Sequence, residues 1–223
     1  MGMTRRGRPR SFSKQVALEA AMLLFWKRGF EQTGVDDLVW AMGVSTSSLY
    51  STFEDKEALF LAALDLYQSG RGRYTTTALT SGKSAQESFR NLLDIAAFEL
   101  TRPGQPRGCM LALSMTTSSP GHEKLQKELK RRRALSAQEF LSRLKEAVLQ
   151  KELPTSTDLD ALASFLMTTL MGMSLQARSG ATRQSLLKIA DMALHAWPSA
   201  PKKADQKTFG KNRRGMQPAK TLR

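Results

Sequence analysis

Residues 33–60, TGVDDLVWAMGVSTSSLYSTFEDKEALF, read as two short helices joined by a tight turn and followed by the start of a longer helix. Thr33 has an acid three residues on, at Asp36, which is the spacing of a capping box. The pattern therefore starts a helix here, with Asp36 and Asp37 at its positive end. Val35, Leu38, Val39 and Met42 recur at the spacing of a buried helical stripe, and Gly43 supplies the left-handed backbone that ends it. Ser45 is an N-cap for a second helix, Thr46 to about Phe53, with Leu49 and Phe53 on one face and Ser47, Tyr50 and Ser51 on another. Asp55 caps the third, with Lys56 in its first turn. A helix, a glycine-containing turn and a second helix with a polar outer face make a helix-turn-helix, whose second helix can lie in the major groove of DNA.

The second helix holds no arginine, lysine, asparagine or glutamine, so the bidentate readings of guanine and adenine are not open to it. Thr46, Ser47, Ser48, Tyr50, Ser51 and Thr52 offer softer contacts: single hydrogen bonds to base edges, donation to phosphates, or touch with thymine methyls. Ser48 and Thr52 can equally do no more than fill the helix-helix interface. Upstream, residues 1–12 form a basic arm without apolar periodicity, expected to be disordered without DNA. In it, Arg8 and Arg10 lie close enough to the first helix to reach an adjacent minor groove.

The chain here resembles the tetracycline-repressor (TetR) family of bacterial transcription regulators. The resemblance rests on GRPR at Gly7–Arg10, ALEAAMLLFWKRGF at Ala17–Phe30, Thr33, GVSTSSLYSTF at Gly43–Phe53 and DKEALF ending at Phe60. Val39 and Met42 stand where the family usually has alanine, which implies slightly altered packing of the second helix. The resemblance implies that Thr46, Ser47 and Ser51 face bases, while Thr33, Ser48, Tyr50, Thr52 and Lys56 touch the DNA backbone or groove edge. It also implies a homodimer on a double-stranded operator, and a C-terminal helical bundle that takes a small-molecule inducer.

Charge distribution agrees with a polyanion partner. Of the net +14 over 223 residues, most sits in the two ends: Arg5, Arg6, Arg8, Arg10 and Lys14 near the start, and eight lysines and arginines against Asp205 from residue 201 on. The body between is nearly neutral, so the basic balance belongs to two tails. A competing reading follows from this, that of a non-sequence-specific or architectural nucleic-acid-binding protein driven by its tails. The C-terminal tail, residues 199–223, is lysine-rich and expected to be disordered, and a purely solubilising role fits it equally well. No apolar run is long enough for a membrane span, no signal peptide is recognisable and one cysteine excludes an internal disulfide framework, so a cytoplasmic location without membrane contact is expected.

An all-α chain is expected, with residues 13–70 as the helix-turn-helix domain and 83–198 as a ligand-binding and dimerisation bundle. Helix one runs from about Ser13 to Arg28, with Val16, Ala17, Ala20, Leu23, Leu24 and Lys27 at helical spacing. Trp26, Phe30 and Trp40 read as core or core-edge residues. Residues 69–82, SGRGRYTTTALTSG, read as a loosened helix end and a loop at the domain boundary. Further helices are expected from Ser84 to before Pro103, from Cys109 to about Thr117, from His122 to about Lys151, from Thr157 or Asp158 onward, and from Thr182 through Trp197. The last two are apolar over more than one stripe, as packing against a second copy requires, although closing the monomer core would use the same pattern. The run Lys130–Arg133 reads as a solvated face or a second nucleic-acid contact.

No catalytic constellation, cofactor motif or metal spacing is present, so an enzyme is not expected. Phe89, Phe98, Cys109, Met110, Leu113, Phe165 and Leu170 are the expected lining of an adaptable apolar pocket for an apolar inducer. Cys109, with Met110, Met115, Met167, Met171 and Met173, leaves open a soft-metal or oxidant-sensing role beside the simpler one of small hydrophobe and gap-fillers.

Overall fold

A computed structural model describes residues 13–114 and 121–198. The described residues are all-α, in the order α1 Lys14–Arg28, α2 Val35–Met42, α3 Thr46–Thr52, α4 Lys56–Ser69, α5 Tyr74–Leu79, α6 Ala85–Glu99, α7 Met110–Leu113, α8 Glu123–Leu149, α9 Leu159–Arg178 and α10 Arg183–His195. Six of these start on a side-chain oxygen that accepts a free N–H of the first turn: Ser13, Ser45, Asp55, Ser84, Asp158 and Thr182. Each such cap stabilises its helix by about 1 kcal/mol and fixes where the chain turns.

α1 packs on α4 and α2, and the three close a small core around Phe25, Phe30 and Phe60, whose rings meet edge to face at 5.0 and 5.3 Å. A second core lies among α5, α6, α8, α9 and α10, where Phe89 meets Phe140 at 5.2 Å and Trp197 at 5.7 Å. The two are not independent, because Met110 of α7 and Leu125 and Leu129 of α8 are buried in the first. Polar ties reinforce the junction: Arg132 of α8 reaches Asp65 of α4 at 2.6 Å, and His122 reaches Glu57 at 2.6 Å.

Several expectations need correction. α2 starts one residue later than expected: Gly34 is the cap, and its N–H is taken by Asp37 at 3.1 Å rather than Thr33 and Asp36 forming the box. The buried face of α1 is Ala17, Ala21, Met22, Phe25 and Trp26, and Val16 is 67% exposed; the stripe is rotated because the aromatic residues, not the leucines, face α4. Trp40 is not a core residue but 86% exposed, since α2 buries only Leu38 and Met42. Residues 69–82 contain α5, which buries Ala78 and Leu79 against α6. The expected end of the helix after Cys109 lies outside the described residues. In the run 130–133, Lys130, Arg131 and Arg133 are exposed as a solvated face requires, and Arg132 alone departs from it: with only 11% of its side chain exposed, it pairs with Glu128 and holds α8 to α4.

Candidate nucleic-acid interface and ligand cavity

The reading surface is built on α3. Leu49 and the C-cap Phe53 are buried and anchor the helix, which leaves Thr46, Ser47, Ser48, Tyr50 and Ser51 exposed and Thr52 half-buried. Ser45 organises the start, with its hydroxyl 3.0 Å from that of Ser47, 2.8 Å from that of Ser48 and accepting the Ser48 N–H at 3.1 Å. Ser51 and Thr52 both donate to the Ser48 carbonyl, at 3.0 and 2.9 Å. Both hydroxyl protons are taken up by that carbonyl, and each hydroxyl has to turn to donate to DNA. Ser48 stands on the surface, not inside the helix-helix interface.

Lys56 extends this surface at the start of α4, but its ammonium lies 4.3 Å from the Phe30 ring centroid, and burial holds its pKa below the ordinary lysine value. Thr33 does not join it. The side chain is fully buried and its hydroxyl donates to Gly29 O at 2.6 Å, so it cannot touch a phosphate without leaving that site. Arg8 and Arg10 lie outside the described residues.

An internal cavity of about 90 Å³ opens where α4, α5, α7, α8 and α9 meet. Tyr67 of α4, Tyr74 of α5, Cys109 at the start of α7 and Leu111 within it, Phe140 of α8 and Met167, Leu170 and Met171 of α9 form much of its wall. Of the seven residues expected to line a pocket, Cys109 and Leu170 line this cavity and the other five do not. Phe89 is locked in the second core and Met110 in the first. Leu113 packs beside Gly108. Phe98 is on the surface, with the Arg102 and Arg183 guanidinium groups 5.1 and 4.3 Å from its ring, and Phe165 is 42% exposed. Aromatic and apolar residues look alike in sequence; which helix face meets the cavity is set by long-range packing. The tyrosines escape a reading of the sequence because residues 69–82, which hold Tyr74, carry the pattern of a helix end and a loop, and nothing local marks the side of α4 on which Tyr67 stands.

Among the described residues, the cavity lining carries no lysine, arginine or histidine. Burial pushes the hydroxyls of Tyr67 and Tyr74 well above the ordinary tyrosine range, so both are neutral donors, and burial also raises the Glu139 carboxyl at the rim. The wall thus combines apolar surface with neutral hydroxyl donors. Met167 and Met171 share the lining with Cys109, whereas Met173 is in the core and Met115 is outside the described residues. Among the described residues no group of three or more His, Cys, Asp or Glu side chains could hold a metal ion, and no helix is long and apolar enough to cross a membrane.

Comparison with known proteins agrees with the two-part helical architecture. Residues 17–63 match the model of bacterial regulatory proteins of the tetR family, and residues 85–192 match the tetracyclin repressor-like C-terminal domain. The chain is 34% identical to the HTH-type transcriptional repressor ComR of Escherichia coli K12, over 88% of this chain and 94% of ComR. It is 27% identical to the uncharacterised HTH-type regulator YezE of Bacillus subtilis, over 84% of this chain and 97% of YezE. A cysteine-substituted variant of the regulator CifR, solved with a 26-base-pair operator duplex, superposes with a TM-score of 0.81 at 36% identity, covering 86% of this chain and all of that one. The helix-turn-helix, the helical bundle behind it and these matches establish that the chain belongs to the TetR family and is a sequence-specific, dimeric DNA-binding transcription regulator.

Proposed function

We propose that the protein is a cytoplasmic repressor that holds a palindromic operator as a homodimer and releases it when a small, uncharged, largely apolar molecule enters the cavity between α4 and α9. The observation that carries this reading is the position of Tyr67. It forms part of the cavity wall and belongs to α4, the helix that starts at Lys56 directly behind the recognition helix. An occupant that shifts α4 shifts the reading head, and needs only to bind the released state about 10- to 100-fold better, some 1.4 to 2.7 kcal/mol, to act as an inducer.

Thr46, Ser47 and Ser51 are the proposed base-facing residues, with Ser48, Tyr50, Thr52 and Lys56 on the backbone and Arg8 and Arg10 in the flanking minor groove. The dimer contact is assigned to α9 and α10. Ala161, Phe165, Thr168, Gly172 and Leu175 follow one another along an exposed face of α9, and Met192 is exposed on α10. This face leaves apolar side chains in water in a single chain and buries them in a two-fold four-helix contact.

Selection of genomic fragments by the purified protein at near-physiological salt, followed by sequencing, tests the reading. Enrichment of a short inverted repeat is the expected result. Uniform recovery of all fragments would mean that binding is driven by the basic tails and would end the operator reading.

A further inference from the structure

We infer that Trp26 is the residue that carries cavity occupancy to the reading head. This rests on the cavity being the inducer site. Trp26 is buried near the end of α1, in the head, and it is held by three groups: one in the cavity wall, one directly before the wall residue Cys109, and one at the end of α9. Its indole N–H donates to Gly108 O at 2.9 Å. Its ring meets that of Tyr67 edge to face at 4.9 Å. Its own carbonyl accepts a hydrogen bond from Arg178, at the end of α9.

The Gly108 contact is the decisive one, because Gly108 and Cys109 form a strap that has no slack. Gly108 has φ +83°, and a Cβ there would lie 2.9 Å from Ser174 O, so only glycine fits between α9 and the indole. The next residue, Cys109, gives its backbone N–H to Ser174 Oγ at 2.8 Å and faces the cavity with its side chain. At about 90 Å³ the cavity is far smaller than the usual several hundred Å³ of a ligand site, so a bound molecule has to push its wall outward. Outward movement of Cys109 moves Gly108 O, and outward movement of Tyr67 moves the ring that Trp26 rests on. Both displacements arrive at one side chain of α1. Two polar ties between head and body, Arg132–Asp65 and His122–Glu57, do not involve residues of the strap.

Cys109 is the only cysteine of the chain, which allows the cavity to be filled without knowing its natural occupant. Iodoacetamide forms one S–C bond at the Cys109 sulfur with loss of iodide, leaving a carbamidomethyl group of a size to fill much of the space; mass spectrometry verifies single modification. Operator affinity is then measured for modified and unmodified protein on the inverted repeat recovered by fragment selection. In the parent chain modification should weaken binding about tenfold or more, and in Trp26→Phe, which keeps a ring against Tyr67 but has no N–H, by less than about threefold. Equal weakening in both chains would overturn the role of Trp26 and leave the cavity as inducer site. Unchanged affinity of the modified parent would overturn the inducer site itself, and the inference with it. Should Trp26→Phe fail to fold by circular dichroism, Arg178→Gln removes the tie to the Trp26 carbonyl from the other side. The same threefold limit then decides, with an undiminished response counting against the inference.

Discussion

Thr33 gives its hydroxyl proton to the carbonyl oxygen of Gly29 at 2.6 Å, closing the loop between α1 and α2 from the inside. Thr33→Val keeps the shape but leaves that half-buried carbonyl without this partner, at a cost of about 1 kcal/mol. The expected outcome is a lower melting temperature with operator affinity unchanged at temperatures where the protein is folded. A Thr33→Val variant of normal stability that binds operator weakly would return Thr33 to the DNA surface.

What could be read in advance, and what could not, divides by range. Ser45, Asp55, Ser84 and Thr182 cap their helices through an oxygen that reaches an N–H three residues on, so the signal is complete within one turn. The hydroxylated face of α3 is visible for the same reason. Trp40 and Phe165 are apolar residues at helical spacing, and nothing within their own helix tells whether that side meets protein or water. The cavity was largely illegible because five helices distant in sequence build it, and because Tyr74 stands in a glycine- and threonine-rich stretch that is helical only through the burial of Ala78 and Leu79.

Base reading and backbone attraction should separate in mutants of α3 and α4. Ser47→Ala or Thr46→Ala should cost about 1 kcal/mol on the selected operator and little on random DNA, because a hydroxyl on a base edge discriminates modestly. Lys56→Gln should weaken binding to both and lower the salt slope by about one. Fluorescence anisotropy at several salt concentrations checks the pair. Equal losses on both DNAs for Ser47→Ala would remove it from the base-facing set.

The α9–α10 face predicts a separation of folding from function. Phe165→Asp places a charge on an exposed position, so the single chain should fold with near-normal helicity. In the dimer the same carboxylate would be buried against its own symmetry mate, at several kcal/mol. Analytical ultracentrifugation should find monomer, with operator affinity reduced by orders of magnitude because one head reads only a half-site. A Phe165→Asp protein that stays dimeric would place the contact elsewhere.

The Glu128 cluster gives the chain a defined acid response. A hydrogen bond from Arg131, then one from Arg132, holds the Glu128 carboxyl at about 2, against an ordinary 4.5. A carboxyl depressed in the folded state contributes its full stabilisation above the unfolded value and loses it as pH falls toward the folded one, so the window runs from about 4.5 down to about 2. Much of the pair lies at the surface, which limits the contribution to about 1 kcal/mol or less, a few degrees in melting temperature for a chain of this length. Glu128→Gln should therefore melt lower than the parent at pH 7, and the gap should narrow steadily below about pH 4.5, because protonation turns the parent into the equivalent of its variant. Arg132 keeps Asp65 as a partner in that variant, so α8 should remain seated on α4 and the gap should stay small. A difference in melting temperature that is constant from pH 7 to pH 3 would mean that the glutamate acts through packing rather than through its charge.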